Sequence, residues 1–361
     1  MNSIHLGWSP FFENQLTSGD RSHYATGRIL EERKNFYVLL TEDGSEVLVS
    51  AAGKLQYEAS GRGQLPAVGD WVCATVRSKE GRGTIHRVLE RRTKISRKNA
   101  GAVTDEQVLA ANIDTVFLVS SLNQEFNSRR IERYLALAWE SGARPVVLLT
   151  KADLCEKPAE AIAEIERMAP FVPVHVVSAL VGSGLDALAE YLGPGQTCVL
   201  LGSSGVGKST LVNRILDEER LEVREIRSSD GRGRHTTTSR QMIFLPEGGM
   251  LIDTPGIREL QLWNADEALG NAFNDVEEAA SRCRFTDCGH HPGTPGCAVR
   301  AAIESGALSL ERVANWSKLG RERAFLSRRK NKKALSEEKE RSKAIELADR
   351  KRYFPEEFFN D

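Results

Sequence analysis

The sequence predicts a multidomain chain: a small N-terminal β-barrel, a central α/β domain with a mostly parallel sheet, and a helical C-terminal region built around a metal site. Three observations predict it. Residues 24–97 break into short alternating strands divided by turn residues. Residues 112–255 alternate near-continuous apolar runs with helical segments, the pattern of a sheet covered on both faces. Beyond them, cysteine and histidine crowd into "SRCRFTDCGHHPGTPGCAV".

A length of 361 residues suits two or three domains. Hydrophobic residues make up 40% and charged residues 27%, ample for a core. The formal net charge is -1, so a nucleic-acid surface has to come from local clustering. "MNSIHLGWSPFFENQ" lacks the basic-then-apolar order of a leader, and no apolar run approaches the roughly 20 residues that span a bilayer. Six cysteines, three of them scattered (Cys73, Cys155, Cys198), fit a reducing cytoplasm with one metal site and no disulfide scaffold.

In the first domain "NFYVLL", "EVLVSA", "DWVCATV" and "GTIHRVL" read as strands, with "EDGS", "AVGD" and "KEGRG" turning between them. Short strands at this spacing suggest an OB-like barrel, an architecture that commonly grips nucleic acid. The basic stretch "ERRTKISRKNAG" after it is read equally well as a solvated strand end or as a phosphate-contacting strip.

The central domain carries the first specific chemistry. "LLGSSGVGKSTLVNRIL" follows a strand and opens an amphipathic helix, and Gly202, Gly207, Lys208 and Ser209 match G-x-x-x-x-G-K-[ST]. In such a loop (Gly202, Ser203, Ser204, Gly205, Val206, Gly207) the backbone N–H groups turn inward on phosphate oxygens at the positive end of a helix, here opened by Lys208, Ser209 and Thr210. Lys208 is expected to reach the β- and γ-phosphates, and Ser209 to ligate Mg²⁺. Downstream, "MLIDTPGI" ends a strand at Asp253, a residue placed to hold Mg²⁺ through water, with the Gly256 N–H near the γ-phosphate. Between these lies "SSDGRGRHTTTSRQ", which reads as a loop carrying a threonine for Mg²⁺.

Base identity rests on "LLTKADL". Asp153 would offer a carboxylate to the guanine N1–H and 2-amino group, a bidentate pair that adenine cannot make, and Lys151 would lie along base and ribose. Thr150 stands where a reader of Asn-Lys-x-Asp type has Asn, which leaves a hydroxyl with one hydrogen bond to give. Ser178-Ala179-Leu180 ends the next strand and supplies the second base loop. The order of parts is base reader, second base loop, phosphate loop, threonine loop and Asp-Thr-Pro-Gly. Small GTPases run phosphate loop first, so this domain is a circular permutation of theirs; the parts still meet, because strand order in space sets the site.

A barrel, a permuted GTPase with "GSSGVGKST", "GRGRHTTT" and "DTPGIREL", and a Cys/His-rich end together resemble the ribosome small-subunit-dependent GTPase A family (RsgA type), over nearly the whole chain from residue 24. The resemblance implies a cytoplasmic factor that binds the small ribosomal subunit late in maturation, hydrolyses GTP there, and contacts rRNA through barrel and zinc domain. It implies Thr237 as the Mg²⁺-sensing threonine, with Thr236 or Thr238 as alternatives. His235 is the family's candidate for placing the attacking water; a phosphate or RNA contact is the competing role. Ile257 follows "DTPG" where many GTPases carry a water-orienting Gln, so turnover is expected to be slow without a partner. No membrane contact is expected, and the chain is read as a monomer. The divisions are residues 1–23 as an extension, 24–100 as the barrel, 101–262 as the permuted GTPase domain and 263–361 as the zinc-binding helical domain.

Cys283, Cys288 and Cys297 with one imidazole form a Cys₃His set, a closed structural arrangement for one Zn²⁺. The family spacing from Cys288 favours His290, whereas spacing back from Cys297 suits His291; His290 is chosen. The basic run from Lys318 to Lys333 is read either as an RNA-phosphate surface or as a solvated helix. Two other functions fit parts of this pattern: an RNA-binding adaptor that uses GTP only as a conformational lock, and a P-loop kinase or ATPase acting on a small molecule.

Overall fold

The computed structural model describes residues 3–98, 106–123, 126–218, 240–253, 273–310, 312–318 and 320–321. Strands β1 (Ala25–Arg33), β2 (Phe36–Thr41), β3 (Glu46–Ala51), β4 (Trp71–Arg77) and β5 (Arg82–Val88) follow in the order β1-β2-β3-β5-β4, and β4 returns to β1, closing a five-stranded barrel. The β1–β2 connection is two residues long with Asn35 at φ 68, the left-handed conformation that a tight hairpin needs. Period-two alternation sends Ile29, Leu39, Val47, Val49, Val72, Ala74 and Ile85 inward to one dry core.

Residues 3–23 pack beside the barrel. A 3-10 turn (Ser3–Leu6) leads to α1 (Pro10–Glu13) and α2 (Ser18–His23), the latter opened by a capping box of Thr17 and Asp20. Leu6 and Phe12 are fully buried, and the Trp8 ring meets Trp71 edge-on with centroids 4.7 Å apart. Helix α3 (Gly53–Glu58) joins β3 to β4, and β6 (Lys94–Lys98) and β7 (Glu106–Ala111) form a separate antiparallel ribbon.

The central sheet runs β10 (Val174–Val176), β9 (Arg144–Thr150), β8 (Thr115–Ser121), β11 (Thr197–Gly202), β13 (Met250–Asp253), β12 (Arg240–Phe244). The first five are mutually parallel; β12 is antiparallel to β13. Alternate residues of one strand face opposite cores: Val116 and Leu118 of β8 join one, Phe117 and Val119 the other. Helix α4 (Ser128–Ser141) is capped by the Asn127 side chain and ends at Gly142 in the left-handed conformation. Helices α5 (Pro158–Met168), α6 (Ala189–Leu192) and α7 (Lys208–Leu216) complete the cover.

Barrel and sheet are one hydrogen-bonded surface. Strand β12 also pairs antiparallel with β1, Glu31 opposite Gln241 and Glu32 opposite Arg240, giving eleven strands in all. The strand spacing alone did not predict this fusion. At the same junction Arg28, 1% exposed, donates from Nε to the Gly69 carbonyl (3.2 Å), from Nη2 to that of Asn112 (3.0 Å) and from Nη1 to that of Leu6. Burial first of all pulls its guanidinium down to about 10, still charged at neutral pH. Gly69 itself, at φ +92, leaves a gap of only 2.1 Å between a would-be Cβ and the Ala111 carbonyl oxygen.

The C-terminal region contributes α8 (Asn274–Ser281), α9 (Ala298–Glu304) and a helical stretch at 312–318. It is docked on α4 and α5. Arg312 holds both oxygens of Asp275 (2.8 and 2.9 Å), reaches Glu132 on α4, and donates to the Met168 carbonyl at the end of α5 (3.3 Å). Asn315 donates to the other Glu132 oxygen. Among the described residues no helix is long and apolar enough to cross a membrane.

Candidate functional site

The parallel strands all point their C-terminal ends to one edge, and the site residues collect there. β11 stops at Gly202, where a Cβ would lie 2.6 Å from the Val119 carbonyl oxygen, so the chain can leave the sheet only with glycine at this point. Ser203, Ser204 and Gly205 turn outward, and Val206, 2% exposed, roots the loop in the core. Gly207 at φ 95 then opens α7, whose first turn holds Lys208, Ser209 and Thr210. That turn leaves backbone N–H groups and a helix's positive end facing the edge. The Lys208 ammonium folds back over the loop, donating to the carbonyls of Gly202 (2.7 Å) and Ser203 (2.6 Å).

Thr150, the last residue of β9, is buried, and its hydroxyl donates to the Val206 carbonyl at 2.6 Å, with the Ser120 carbonyl farther off at 3.3 Å. One hydroxyl proton makes one strong bond, and the shorter contact takes it. Lys151 sits at φ 59 and starts the 3-10 turn Ala152–Leu154, which carries the exposed Asp153. Buried Ser178 donates its hydroxyl to the Asp153 carboxylate, joining the two loops, and the Ala152 N–H reaches the Val177 carbonyl at 3.3 Å. Ala179 is half-buried and Leu180 stands 76% exposed. Thr150, Lys151, Asp153 and Ser178–Leu180 thus share one rim.

Strand β13 runs parallel to β11, Val199 opposite Ile252, and ends at half-buried Asp253 on the same edge as the phosphate loop. His235, Thr236, Thr237, Thr238, Gly256 and Ile257 lie outside the described residues. The edge therefore offers N–H donors and an ammonium for a polyphosphate, hydroxyls and a carboxylate for a hard cation, and a carboxylate at the far rim for a base.

A second constellation lies between α8 and α9. Cys283, Cys288, His290 and Cys297 bring four ligand atoms within 4.8 Å of one another, a set able to hold a metal ion. His290, at φ 53, brings its ring beside the cysteines, its carbonyl accepts from Arg300 Nε (2.8 Å), and His291 is exposed. The His290 Nδ1 lies 3.7 Å from the Cys283 sulfur and 3.5 Å from that of Cys297, and those two sulfurs are 3.9 Å apart. A tetrahedron with metal–sulfur arms of about 2.3 Å and a metal–nitrogen arm of about 2.0 Å puts sulfurs ~3.8 Å apart and sulfur and nitrogen ~3.5 Å apart, so these three donors fit, with the Cys288 sulfur within 4.8 Å of each. Burial, then the Arg300 and His291 charges, hold the His290 imidazole below its ordinary value, in the neutral form that ligates.

Sequence reasoning missed Arg28, the Glu32–Arg240 pair and the Glu132–Arg312 contact. A charged residue at the apolar face of α4, as Glu132 is, was the available signal for the last.

A phosphate loop at the C-terminal edge of a parallel sheet, with the base-side strands preceding it in the chain, defines a circularly permuted P-loop GTPase. More narrowly, the chain belongs to the RsgA GTPase family, whose sequence model matches residues 88–263. Small ribosomal subunit biogenesis GTPase RsgA of Opitutus terrae is 45% identical, with 98% of this chain and 98% of that one covered. The protein of the same name from Methanosarcina acetivorans is 42% identical, covering 96% and 94%. Among solved structures, YjeQ from Thermotoga maritima is similar at a TM-score of 0.61 and 28% identity, over 83% of this chain and 99% of that one. YloQ, described as a circularly permuted GTPase, shares the fold at a TM-score of 0.56 and 23% identity, over 86% and 96%. The chain is a GTP hydrolase.

Proposed function

We propose that this GTPase acts in small-subunit biogenesis: it binds the small ribosomal subunit through rRNA, hydrolyses GTP to GDP and phosphate there, and leaves. The observation that carries the reading is the 45% identity, end to end, with a protein named for that role. It is supported by a base-side rim built from Asp153 and Ser178 and joined to the phosphate loop through Thr150.

In this reading Asp153 accepts from the guanine N1–H and 2-amino group while Ser178 holds the carboxylate in place. A charge-assisted hydrogen bond of this kind is worth about 1.5–3 kcal/mol. Lys151 lies along the base, and Ala179 and Leu180 close the rim over it. The loop from Ser203 to Gly207 binds phosphate oxygens through its N–H groups. Lys208 exchanges the carbonyls of Gly202 and Ser203 for the β- and γ-phosphates, so a nucleotide displaces an internal contact rather than entering a vacant charge site. Mg²⁺, when bound, neutralises charge on the β- and γ-oxygens; Ser209 and Thr237 would ligate it, with Asp253 reached through water. Gly256 donates to the γ-phosphate and His235 orients the attacking water. With Ile257 unable to do so, turnover alone is slow and the subunit supplies the stimulation.

Zn²⁺ fits the Cys₃His cluster and would cross-link α8 to α9 with no open coordination position, a structural role. Residues 24–100, 101–262 and 263–361 serve as barrel, GTPase domain and zinc domain of a cytoplasmic monomer, with 1–23 as an extension. GTP turnover measured with and without purified small subunits, with ATP as control, tests the function. Stimulation of several-fold or more for GTP alone is expected. A GTP rate indifferent to subunits leaves the adaptor that uses GTP as a lock.

A further inference from the structure

The barrel and the nucleotide site share a strand. In β12, Gln241 is paired on one side with Glu31 of the barrel and on the other with Asp253, which Thr254, Pro255 and Gly256 follow in the sequence. Residues in register face the same side of a sheet, so Glu31, Gln241 and Asp253 form one row running from the barrel into the phosphate edge. The adjacent row is charged: Arg240 pairs with Glu32 across the seam, with side chains 13% and 33% exposed. Arg97 of the ribbon stands near it. Burial and then the Arg240 cation hold the Arg97 guanidinium below its ordinary value, which places a second cation beside the pair.

We infer that β12 is the coupling strand between nucleotide state and the barrel, with Glu32–Arg240 as its positioning pair. The inference rests on the proposed function in one respect, that Asp253 faces the phosphates. A shift of Asp253 on exchange of GDP for GTP moves its β12 partner Gln241, and Gln241 stands in register with Glu31 of the barrel on the other side of the strand. By linkage, whatever binds the barrel then biases the nucleotide site equally. The Glu32–Arg240 pair fixes β12 to β1 laterally, so the movement is transmitted and not lost as slippage between strands. Neither residue is among those assigned to the nucleotide.

The test is hydrogen–deuterium exchange on the full chain, following β1 (Ala25–Arg33) with GDP or with a non-hydrolysable GTP analogue. In the unmodified protein β1 exchange is expected to differ several-fold between the two states. Arg240→Gln is expected to abolish most of that difference with GTP affinity within about twofold, and Glu32→Gln, the milder change, to do the same if Arg240→Gln folds poorly. The exchanged pair Glu32→Arg with Arg240→Glu is expected to restore it, an outcome that a merely structural role for either residue does not give. With small subunits present, Arg240→Gln is expected to lower stimulated kcat about tenfold while KM for GTP and basal turnover stay put. β1 exchange that ignores the nucleotide, or that keeps its full response in both single variants, overturns the inference. Failure of subunits to stimulate the unmodified protein instead counts against the proposed function and leaves the exchange result to decide the coupling.

Discussion

The Thr150 hydroxyl and the Val206 carbonyl oxygen are 2.6 Å apart, and that bond ties the end of the base-side strand β9 to the phosphate loop. Removing it strands a buried carbonyl, a cost of about 1–3 kcal/mol. Thr150→Val keeps the shape and loses the donor, so GDP affinity by calorimetry is expected to fall roughly ten- to a hundred-fold. Thr150→Ser is expected to stay near the original value. Equal affinity in Thr150→Val would show that the bond does not support nucleotide binding.

Asp153→Asn presents an amide donor to the guanine 2-amino group and loses the charge. GTP affinity is expected to drop at least about tenfold, the lower end for one charge-assisted bond, and xanthosine triphosphate to gain. Competition binding with both nucleotides reads this directly, and unchanged preference removes Asp153 from the base site.

Lys208→Ala deletes the ammonium that now rests on the Gly202 and Ser203 carbonyls. Tight GTP binding is expected to disappear while the thermal midpoint of the nucleotide-free protein falls only modestly, because Ser203 is half-exposed and water replaces the donor at its carbonyl, whereas Gly202 is buried. A variant that binds GTP normally would refute the phosphate role.

Cys288→Ser removes one of four convergent donors. Zinc measured by atomic absorption is expected to fall from one per chain toward none, and the region from 273 onward to become protease-sensitive. Full zinc content with His291→Ala and loss with His290→Ala is the matching expectation for the imidazole.

Glu132 sets a pH dependence. Burial raises its carboxyl above the ordinary 4.5, outweighing the hydrogen bonds from Asn315 and Arg312 and the Arg312 charge. Between 4.5 and the raised folded value the folded carboxyl holds a proton that the unfolded chain has released, so stability falls as pH rises through that window. The contribution is fully present below 4.5 and gone above the folded value. Glu132→Gln removes it: the stability of the original relative to this variant, by urea unfolding, is expected to decline with rising pH there and flatten near neutrality. Arg312→Ala, which leaves Glu132 buried and short of its cation, is expected to cost about 3–5 kcal/mol at pH 7.

The sequence by itself determined the parts whose chemistry is local. A phosphate loop needs glycines, lysine and serine at fixed offsets on one strand–loop–helix unit, and "GSSGVGKST" states all of them. The Cys₃ spacing and the alternating strands of the barrel were readable for the same reason, because each is set by neighbours in the chain. Tertiary structure decided the rest. Spacing from Cys288 favoured His290 and spacing back from Cys297 suited His291, and only the fold shows which imidazole lies beside the cysteines: His290. Whether Thr150 could serve in a base loop depended on Val206, 56 residues away. The Glu32–Arg240 and Glu132–Arg312 pairs span 208 and 180 residues, and no periodicity encodes a partner at that distance. They exist because the folded chain brings distant, partly buried charges together, where each gains by meeting its counter-ion.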